Sequence, residues 1–412
     1  MRYRSKILCT LLTGAMLAFA GTASADISNG NVKVGVMNDM SGPYADPTGP
    51  GSVVAAQMAA EDYVKATGSK LKIEIVSADH KNKPDIGSAI ARKWYDSDGV
   101  DAILDVPTSS VALAVSEITK DKNKVFVISG AGASSLFGTA CTPNSVLWTW
   151  DTWMQGHGTG TAVVKQGGNS WFFLAADYAF GHALAKDTGQ AVEAAGGKVH
   201  GTVNIPLGTT DFSSFVLQAQ ASKAKIIGLA NAGADTINSI KQASEFGLVS
   251  GGQNLAALIL FVSDVHSLGL QTAQGLLVTT AFYWDLNEQT RAWAKRFAAL
   301  NKGRYPSTLQ AGVYAGFLHY LKAVDALQDD TDGARVVTEM KKLLTDDPLF
   351  GKGTIRADGR KIQPAYLVEV KKPSESKYPY DYYKVLQTIP ADQAIRPMSE
   401  GGCPLAAKGI KS

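Results

Sequence analysis

The sequence predicts an α/β protein of two doubly wound, Rossmann-like lobes joined by a close hinge. Apolar runs of strand length alternate with amphipathic stretches of helix length, which is typical of βαβ units around a parallel sheet. The alternation runs once from residue 32 to residue 129 and starts again at Trp171. No low-complexity or flexible linker separates the two halves, so we expect two lobes with a cleft between them.

The predicted elements follow this alternation in order, with Gly, Pro and polar residues between them. In the first half, strands are predicted at Val32–Met37, Leu71–Ala78, Ala102–Val106 and Val125–Ser129, and helices at Ser52–Thr67, Pro84–Ser97 and Ser110–Lys120. In the second half, strands are predicted at Trp171–Ala175, Val199–Ile205, Ile226–Ala230, Leu255–Phe261 and Leu276–Ala281, and helices at Met154–Gln166, Ala183–Ala195, Phe212–Ser222 and Ile237–Phe246.

The last third of the chain departs from the alternation of strands and helices. Helices are predicted at Glu288–Leu300, Leu309–Leu327 and Ala334–Leu344. In the β-rich stretch that follows, Asp358-Gly359 is a turn signal, and it predicts a hairpin between Thr354–Arg356 and Ala365–Lys371.

The first 25 residues have the pattern of a cleaved export signal. Arg2, Arg4 and Lys6 precede an apolar run from Ile7 to Ala20, and Ala23-Ser24-Ala25 is a small-x-small cleavage site. The run is too short for a spanning helix, so we expect export with release, and a mature chain that begins at Asp26.

Composition narrows the function classes. The formal net charge is +3, and the three basic residues of the leader account for all of it. A neutral mature chain has no electrostatic preference for nucleic acid or anionic lipid. Cys141 and Cys403 remain after the leader is removed, and in an oxidising compartment they are expected to form one bridge, the alternative being two buried or free thiols.

Three loops at predicted strand ends are candidate binding elements. Asp39 to Ala45 follows the first strand, with an ordinary βα turn as the alternative. Thr108-Ser109-Ser110 opens a helix after the third strand, where hydroxyls and unpaired N–H groups bind a small carboxylate, unless Ser109 or Ser110 only caps the helix. Ser129 to Ser134 follows the fourth strand, and its glycines allow close backbone approach.

The motifs of the common enzyme classes are missing from the sequence. Ser135 and Thr161 stand where a dinucleotide fingerprint needs its third Gly, and neither a P-loop nor a Gly-x-Ser-x-Gly elbow occurs. The six His residues lack metal-ligand spacing. We therefore expect a binding protein without catalysis, cofactor or metal.

Aromatic residues concentrate where predicted strands end, which suits a cleft for a small organic ligand, although core packing explains part of the set equally well. They are Trp148, Trp150, Trp153, Tyr178, Phe180, Phe261, Tyr283, Trp284 and Tyr314.

At this point the chain resembles the type I periplasmic substrate-binding proteins, in particular the Leu/Ile/Val-binding-like receptors of ABC transporters. The resemblance lies in the order of segments across the mature chain: VKVGVMNDMSGPYA, DVPTSS, VFVISGAGASSL, DYAFGHALAKD, KQASEFGL, GLLVTTAFYW and QAGVYAGFLHYLKAV. It implies two lobes joined by three crossovers that close on a ligand, with residues 27–150 and 285–355 in lobe 1 and residues 151–284 and 356–412 in lobe 2.

The resemblance also implies a set of ligand contacts. The hydroxyl loop of the family matches Thr108, Ser109 and Ser110, and its backbone loop matches Ala131, Gly132 and Ala133. A second-lobe aromatic matches Phe180 and a hinge-helix aromatic matches Tyr314. The further expected contacts are Tyr44, Tyr178, Asn231, Phe261, Asp264 and Tyr283.

Departures from the amino-acid binders favour another ligand. Those relatives place an acidic side chain of the second lobe on the ligand ammonium, and here only Asp264 is near that position. Small residues from Ala230 to Gly233 replace aromatics. The pattern is similar to the branch that binds aromatic carboxylates such as benzoate or phenylpropenoate derivatives.

The expected function is that of a monomeric periplasmic receptor that delivers a small carboxylate to a membrane permease and its ATPase. The alternatives are an amino-acid or amide receptor, a secreted α/β hydrolase and a sensory ectodomain. Should the hydroxyl loop not hold the carboxylate, Arg92 and Arg291 are the next candidates to anchor it.

Overall fold

The computed structural model describes residues 27–406 and confirms the α/β fold. The export signal predicted over residues 1–25 lies outside this range. Two parallel sheets form the two lobes, and two smaller antiparallel sheets follow them in the chain. Within the described residues, no helix is long and apolar enough to cross a membrane.

Lobe 1 is built on a five-stranded parallel sheet of order β2-β1-β3-β4-β5. Alternate side chains of its strands point to opposite faces and pack under different helices. On one face Val34 and Val127 join a core with Met58, and on the other Ile103 and Phe126 join Trp94. The elements are β1 (Val32–Asn38), α1 (Gly49–Thr67), β2 (Ile73–Asp79), α2 (Pro84–Asp96), β3 (Ala102–Asp105), α3 (Ser109–Asp121), β4 (Val125–Ile128) and β5 (Ser145–Leu147).

Lobe 2 repeats the plan with a four-stranded parallel sheet of order β7-β6-β8-β9. A π-helical turn at Gly156–Gly160 separates its first two short helices. The elements are α4 (Thr152–Gln155), α5 (Thr161–Lys165), β6 (Ser170–Ala176), α6 (Ala179–Ala194), β7 (Lys198–Ile205), α7 (Ser213–Ala221), β8 (Ile226–Ala230), α8 (Ala234–Glu245), β9 (Asn254–Ala257), α9 (Val262–Leu268), α10 (Leu270–Ala273) and β10 (Leu277–Thr280).

The rest of the chain returns to lobe 1 and crosses again. Tyr314 and Phe317 of α12 pack into the lobe 1 core with Ala55 and Met58 of α1. The elements are α11 (Glu288–Leu300), α12 (Thr308–Leu327), α13 (Gly333–Lys342), β11 (Thr345–Asp347), β12 (Gly351–Ile355), β13 (Lys361–Ile362), β14 (Ala365–Val370), β15 (Tyr383–Ile389), α14 (Ala391–Ala394) and α15 (Met398–Gly401).

Two of the predicted elements are wrong in detail. The turn at Asp358-Gly359 exists, but β12 pairs across it with β13 and not with residues 365–371. Residues 365–370 form β14, which pairs with both β10 and β15 and so gains two longer ladders. The strand predicted over Leu255–Phe261 ends at Ala257, because the chain then leaves the sheet toward the start of α9.

The predicted bridge between Cys141 and Cys403 is confirmed, with Cα atoms 5.7 Å apart and a sequence separation of 262. The same tail contacts lobe 1 through Arg396, which donates a hydrogen bond to the carbonyl of Ser134 at 2.8 Å. Ala394 and Ile395 pack in the core of lobe 2. The tail therefore joins the two lobes.

The crossovers between the lobes are bound to one another. Arg360, fully buried, donates to the carbonyl of Thr149 at 3.1 Å and to the carboxylate of Asp151 at 3.3 Å. Gln363 donates to the carbonyls of Trp148 and Thr149 at 2.9 and 3.0 Å. These bonds fix the hinge backbone between β5 and α4.

Both parallel sheets reverse their strand order at one point, between β1 and β3 in lobe 1 and between β6 and β8 in lobe 2. Helices leave in opposite directions at such a point, so a crevice opens outside the carboxyl ends of the strands. The loops that follow these four strands are consequently the first place to look for a ligand.

Candidate ligand-binding site

The loop after β1 is held by one buried carboxylate. Asp39 accepts hydrogen bonds from the backbone N–H groups of Gly42 and Tyr44 at 2.7 and 2.9 Å, and from the side-chain amide of Asn82 at 2.8 Å. Three donors on one carboxylate fix the path of the backbone. Tyr44 is thereby presented at the edge of lobe 1, where it is 4% exposed.

The end of β3 is held by a second buried carboxylate, which was not among the predicted site residues. Asp105 accepts from Asn38 at 2.6 Å, from Ser52 at 2.5 Å and from Ser129 at 2.8 Å. Burial raises the pKa of Asp105 to about 6, although the three donors oppose that rise. Asp105 and Val106 have φ of 78° and 54°, a strained backbone for residues with a side chain. With these two positive φ angles the backbone changes direction between β3 and α3.

The first turn of α3 carries the three hydroxyls predicted to bind a carboxylate. Thr108 stands at the N-cap, but its side chain does not cap the helix and instead donates to the amide oxygen of Asn82. Ser109, fully buried, accepts from the N–H of Ala133 at 3.2 Å, so its own proton remains available. Ser110 is partly exposed. The capping alternative is therefore wrong, and the first N–H groups of α3 remain for another acceptor.

The glycine-rich loop after β4 packs tightly against the hinge. Gly132 accepts from the N–H of Thr152 at 2.7 Å, and a Cβ at Gly132 would lie 2.4 Å from the ring of Trp150. Of the three backbone donors predicted in this loop, the N–H of Ala133 is bound to Ser109, which leaves those of Ala131 and Gly132.

Aromatic residues from both lobes and the hinge meet opposite these loops. The hydroxyls of Tyr44 and Tyr178 lie 2.6 Å apart. Phe180 packs edge-on against Trp150 with ring centroids 5.8 Å apart, and Tyr178 lies 5.8 Å from Phe180. Phe261 belongs to the same buried cluster. The four residues Tyr44, Trp150, Tyr178 and Phe180 are called the aromatic group below.

Trp150 is the member of this group that was predicted only as an aromatic residue near a strand end, and not as a ligand contact. Its ring is 3% exposed, and its indole N–H is buried without a hydrogen-bond partner in the structure. A buried donor without a partner carries a cost of about 1–3 kcal/mol that an acceptor on a ligand would remove. The sequence feature that could have indicated its role is its position just before Asp151, the residue that caps the first helix of lobe 2.

Two polar residues expected to contact the ligand are bound within lobe 2. The amide of Asn231 donates to Ser239 at 2.9 Å, and its oxygen accepts from Thr236 at 2.7 Å. Asp264 is buried and accepts from the N–H of Phe261 at 2.9 Å, so it caps the start of α9. Burial raises the pKa of Asp264 to about 7.

Two predicted aromatics have their hydroxyls on other partners. Tyr283 donates to the carbonyl of Tyr380 at 3.0 Å. Tyr314 donates to Asp62 at 2.7 Å and packs against Trp293, with ring centroids 5.1 Å apart. The structure does not bring these two residues into contact with the aromatic group.

The alternative basic anchors also lie elsewhere. Arg92 is exposed on α2, and Arg291 pairs with Asp285 at 3.0 Å. Among the described residues, no group of three or more His, Cys, Asp or Glu is arranged to hold a metal ion. The arrangement is thus one of hydroxyls, free backbone N–H groups and aromatic faces between two lobes, which suits non-covalent binding of a small anion with an apolar body.

This fold and this site define a ligand-binding receptor, and the comparison with known proteins agrees. Residues 31–377 match the family of periplasmic binding proteins, so the chain belongs to that family. Family and fold are those of substrate-binding proteins of transporters and imply a periplasmic location.

Solved structures of similar proteins span the same length. A periplasmic binding protein from Burkholderia mallei is 49% identical, with a TM-score of 0.88 over 91% of this chain and 99% of that one. A branched chain amino acid ABC transporter periplasmic ligand-binding protein from Burkholderia xenovorans LB400 is 40% identical, with a TM-score of 0.79 over 91% and 100%. A solute binding protein from Rhodopseudomonas palustris, in complex with benzoate, is 21% identical and shares the fold, with a TM-score of 0.77 over 91% and 100%.

Proposed function

We propose that this protein binds a small carboxylate with an aromatic or similarly flat apolar body between its lobes, and that it delivers this ligand to the permease of an ABC importer. The observation that carries the proposal is the uncapped start of α3 beside the aromatic group. The helix α3 begins at Ser109, and the side chain of its N-cap residue, Thr108, does not accept from its first N–H groups. These N–H groups and the Ser109 hydroxyl proton are therefore available at the same helix end.

The carboxylate would be bound by neutral donors. The positive end of the helix dipole and the free N–H groups stabilise an anion without a Lys or Arg. Ser109 adds a hydroxyl proton, and the indole N–H of Trp150 adds a buried donor that lacks an acceptor. Each hydrogen bond to a charged group is worth about 1.5–3 kcal/mol.

The body of the ligand would lie among rings. Tyr44 comes from lobe 1, Tyr178 and Phe180 from lobe 2, and Trp150 from the hinge. A flat apolar group placed among them is removed from water as the lobes close. Phe261, in the same buried cluster, adds a further apolar wall.

A branched-chain amino acid is the second candidate, and the name of the 40% identical relative from Burkholderia xenovorans favours it. An amino acid brings an ammonium group that needs an acidic partner. Asp264 is the side chain expected there, but it is bound to the N–H of Phe261. Its raised pKa also favours the neutral acid, which cannot pair with a cation. These contacts favour a carboxylate without an ammonium group.

The test is a thermal-shift panel of benzoate, 4-hydroxybenzoate, cinnamate, leucine, valine and leucinamide. A ligand that binds only the native state stabilises it by mass action, by about 2.7 kcal/mol at one hundred times its Kd. We expect the aromatic acids to raise the melting temperature. A rise with leucine and valine alone would replace the proposal by the amino-acid alternative, and unchanged melting with all six would contradict both ligand classes.

A further inference from the structure

The two lobes touch directly at the outer edge of the cleft. The hydroxyls of Tyr44 and Tyr178 lie 2.6 Å apart. Next to them, the N–H of Ala234, the first residue of α8, donates to the carbonyl of Pro43 at 3.1 Å. Each contact joins the loop after β1 to a loop of lobe 2, so the crevices of the two sheets face each other here.

Gly233 permits this approach. It has φ of 59° and ψ of −133°, a backbone conformation open to glycine. A Cβ at Gly233 would lie 2.3 Å from the carbonyl oxygen of Pro43 and 3.1 Å from the ring of Tyr44. Any side chain at this position therefore pushes lobe 1 and lobe 2 apart, even though Gly233 offers no side chain to a ligand.

The loop that receives Gly233 is rigid. The Asp39 carboxylate binds the backbone at Gly42 and at Tyr44, on either side of Pro43. The Pro43 carbonyl is thereby held in place before the lobes meet, so that closure does not have to order it. A rigid acceptor gives one defined closed position, and a mobile loop would give several.

We propose that Gly233 is a positioning residue for ligand binding: with the Pro43 carbonyl and the Tyr44–Tyr178 hydroxyl pair it forms a latch that sets the closed position of the lobes and slows release of the ligand. The inference rests on the receptor function proposed above, with either of its two candidate ligand classes. The latch contacts are made between protein atoms, outside the start of α3.

The experiment measures the distance between the lobes. Spin labels are attached to Lys65→Cys on α1 and Gln218→Cys on α7, both exposed, with the native bridge left intact. The distance between the two labels is measured by pulsed electron–electron double resonance without additive, with benzoate and with leucine. We expect the wild-type background to show a short, closed distance in at least one condition, and Gly233→Ala to lose it in the same condition.

The matched control is Gly196→Ala. Gly196 also has a positive φ, of 90°, but nothing lies within 4 Å of the position of its Cβ. It thus reports the cost of placing alanine in such a backbone on the surface of lobe 2, and we expect it to keep the closed distance. A melting curve of each variant shows that it is folded.

Tyr178→Phe provides a second variant without backbone strain. It removes one neutral hydrogen bond of the latch. Dissociation of the additive that closes the wild-type protein, benzoate or leucine, should therefore become about twofold to tenfold faster. A Gly233→Ala protein that closes like the wild type would overturn the latch, as would a wild type that stays open in all three conditions or an unchanged rate in Tyr178→Phe. Closure with leucine and not with benzoate would support the latch and reject the aromatic ligand.

Discussion

Replacing the Ser109 hydroxyl tests the carboxylate site at its most buried donor. In Ser109→Ala the ligand loses one hydrogen bond to a charged group, worth about 1.5–3 kcal/mol. At 1.4 kcal/mol per factor of ten, affinity should fall by roughly tenfold to a hundredfold. Ser110→Ala should cost less, because Ser110 is partly exposed and water replaces part of its interaction.

The assay is calorimetric titration with the aromatic acid that gives the largest thermal shift. Ser109→Ala also leaves the N–H of Ala133 without its acceptor at 3.2 Å, so stability is measured in parallel. The matched control is Ser116→Ala, a buried serine of the same helix whose hydroxyl lies 3.1 Å from that of Ser145. It should lose stability without losing affinity.

The result that refutes the reasoning is a folded Ser109→Ala, Ser110→Ala double variant that binds as tightly as the parent. The carboxylate would then be held elsewhere. An equal loss of affinity in Ser116→Ala would also refute it, since the effect would come from the stability of the helix and not from a ligand contact.

Four further predictions concern other parts of the molecule. Unfolded, non-reduced protein should contain no titratable thiol, because Cys141 and Cys403 form a bridge. Reduction of this bridge should lower the free energy of unfolding by up to about 5 kcal/mol in the chain-entropy model, because the closed loop spans 262 residues. Asp264→Asn should flatten the pH dependence of the free energy of unfolding. The pKa of Asp264 in the folded protein, about 7, lies above its ordinary value of 3.8. The stability that Asp264 contributes is therefore fully present below pH 4 and is lost as the pH rises through 7. Urea unfolding at pH 8 should show the variant more stable than the wild type by up to about 4 kcal/mol. Trp150→Phe should weaken binding of the aromatic acid about tenfold in calorimetry, whereas Trp293→Phe, which also removes a buried indole N–H without a partner, should leave it unchanged. Mass spectrometry of a long incubation with that acid should recover it intact, because no nucleophile with a neighbouring base is legible in the sequence.

Each of these has an outcome that contradicts it. Two free thiols in the unfolded protein would exclude the bridge. A constant difference in stability between wild type and Asp264→Asn at pH 4 and pH 8 would mean that this carboxyl titrates normally. Equal losses of affinity in the two tryptophan variants would remove Trp150 from the site, and steady protein-dependent conversion of the acid would indicate an enzyme.

The sequence predicted the fold well because hydrophobic periodicity determines strands and helices locally. The run Val125–Ser129 was predicted as a strand, and β4 ends one residue earlier, at Ile128. The predicted pairing of residues 354–356 with residues 365–371 was wrong, because strand pairing depends on partners that are distant in sequence. Nothing near Ala365 in sequence shows that β10, some ninety residues earlier, pairs with β14.

The candidate site follows from the sequence only in part. Ser109 and Phe180 follow strands of the predicted sheets, and the structure places them near the hinge and the cleft. The role of Asp105 depends on donors from three different segments, so no local pattern indicates it. Asn231 and Asp264 were expected to contact the ligand, but a polar side chain at a strand end binds the adjacent helix start as readily as a ligand.

The most direct test of the proposed site is a crystal structure of the protein with the aromatic acid that stabilises it most. We expect the carboxylate oxygens within about 3 Å of the Ser109 hydroxyl and of the first N–H groups of α3, with the ring against Trp150 and Phe180. A carboxylate paired with an arginine, or an acid bound outside the cleft between the lobes, would contradict the site proposed here.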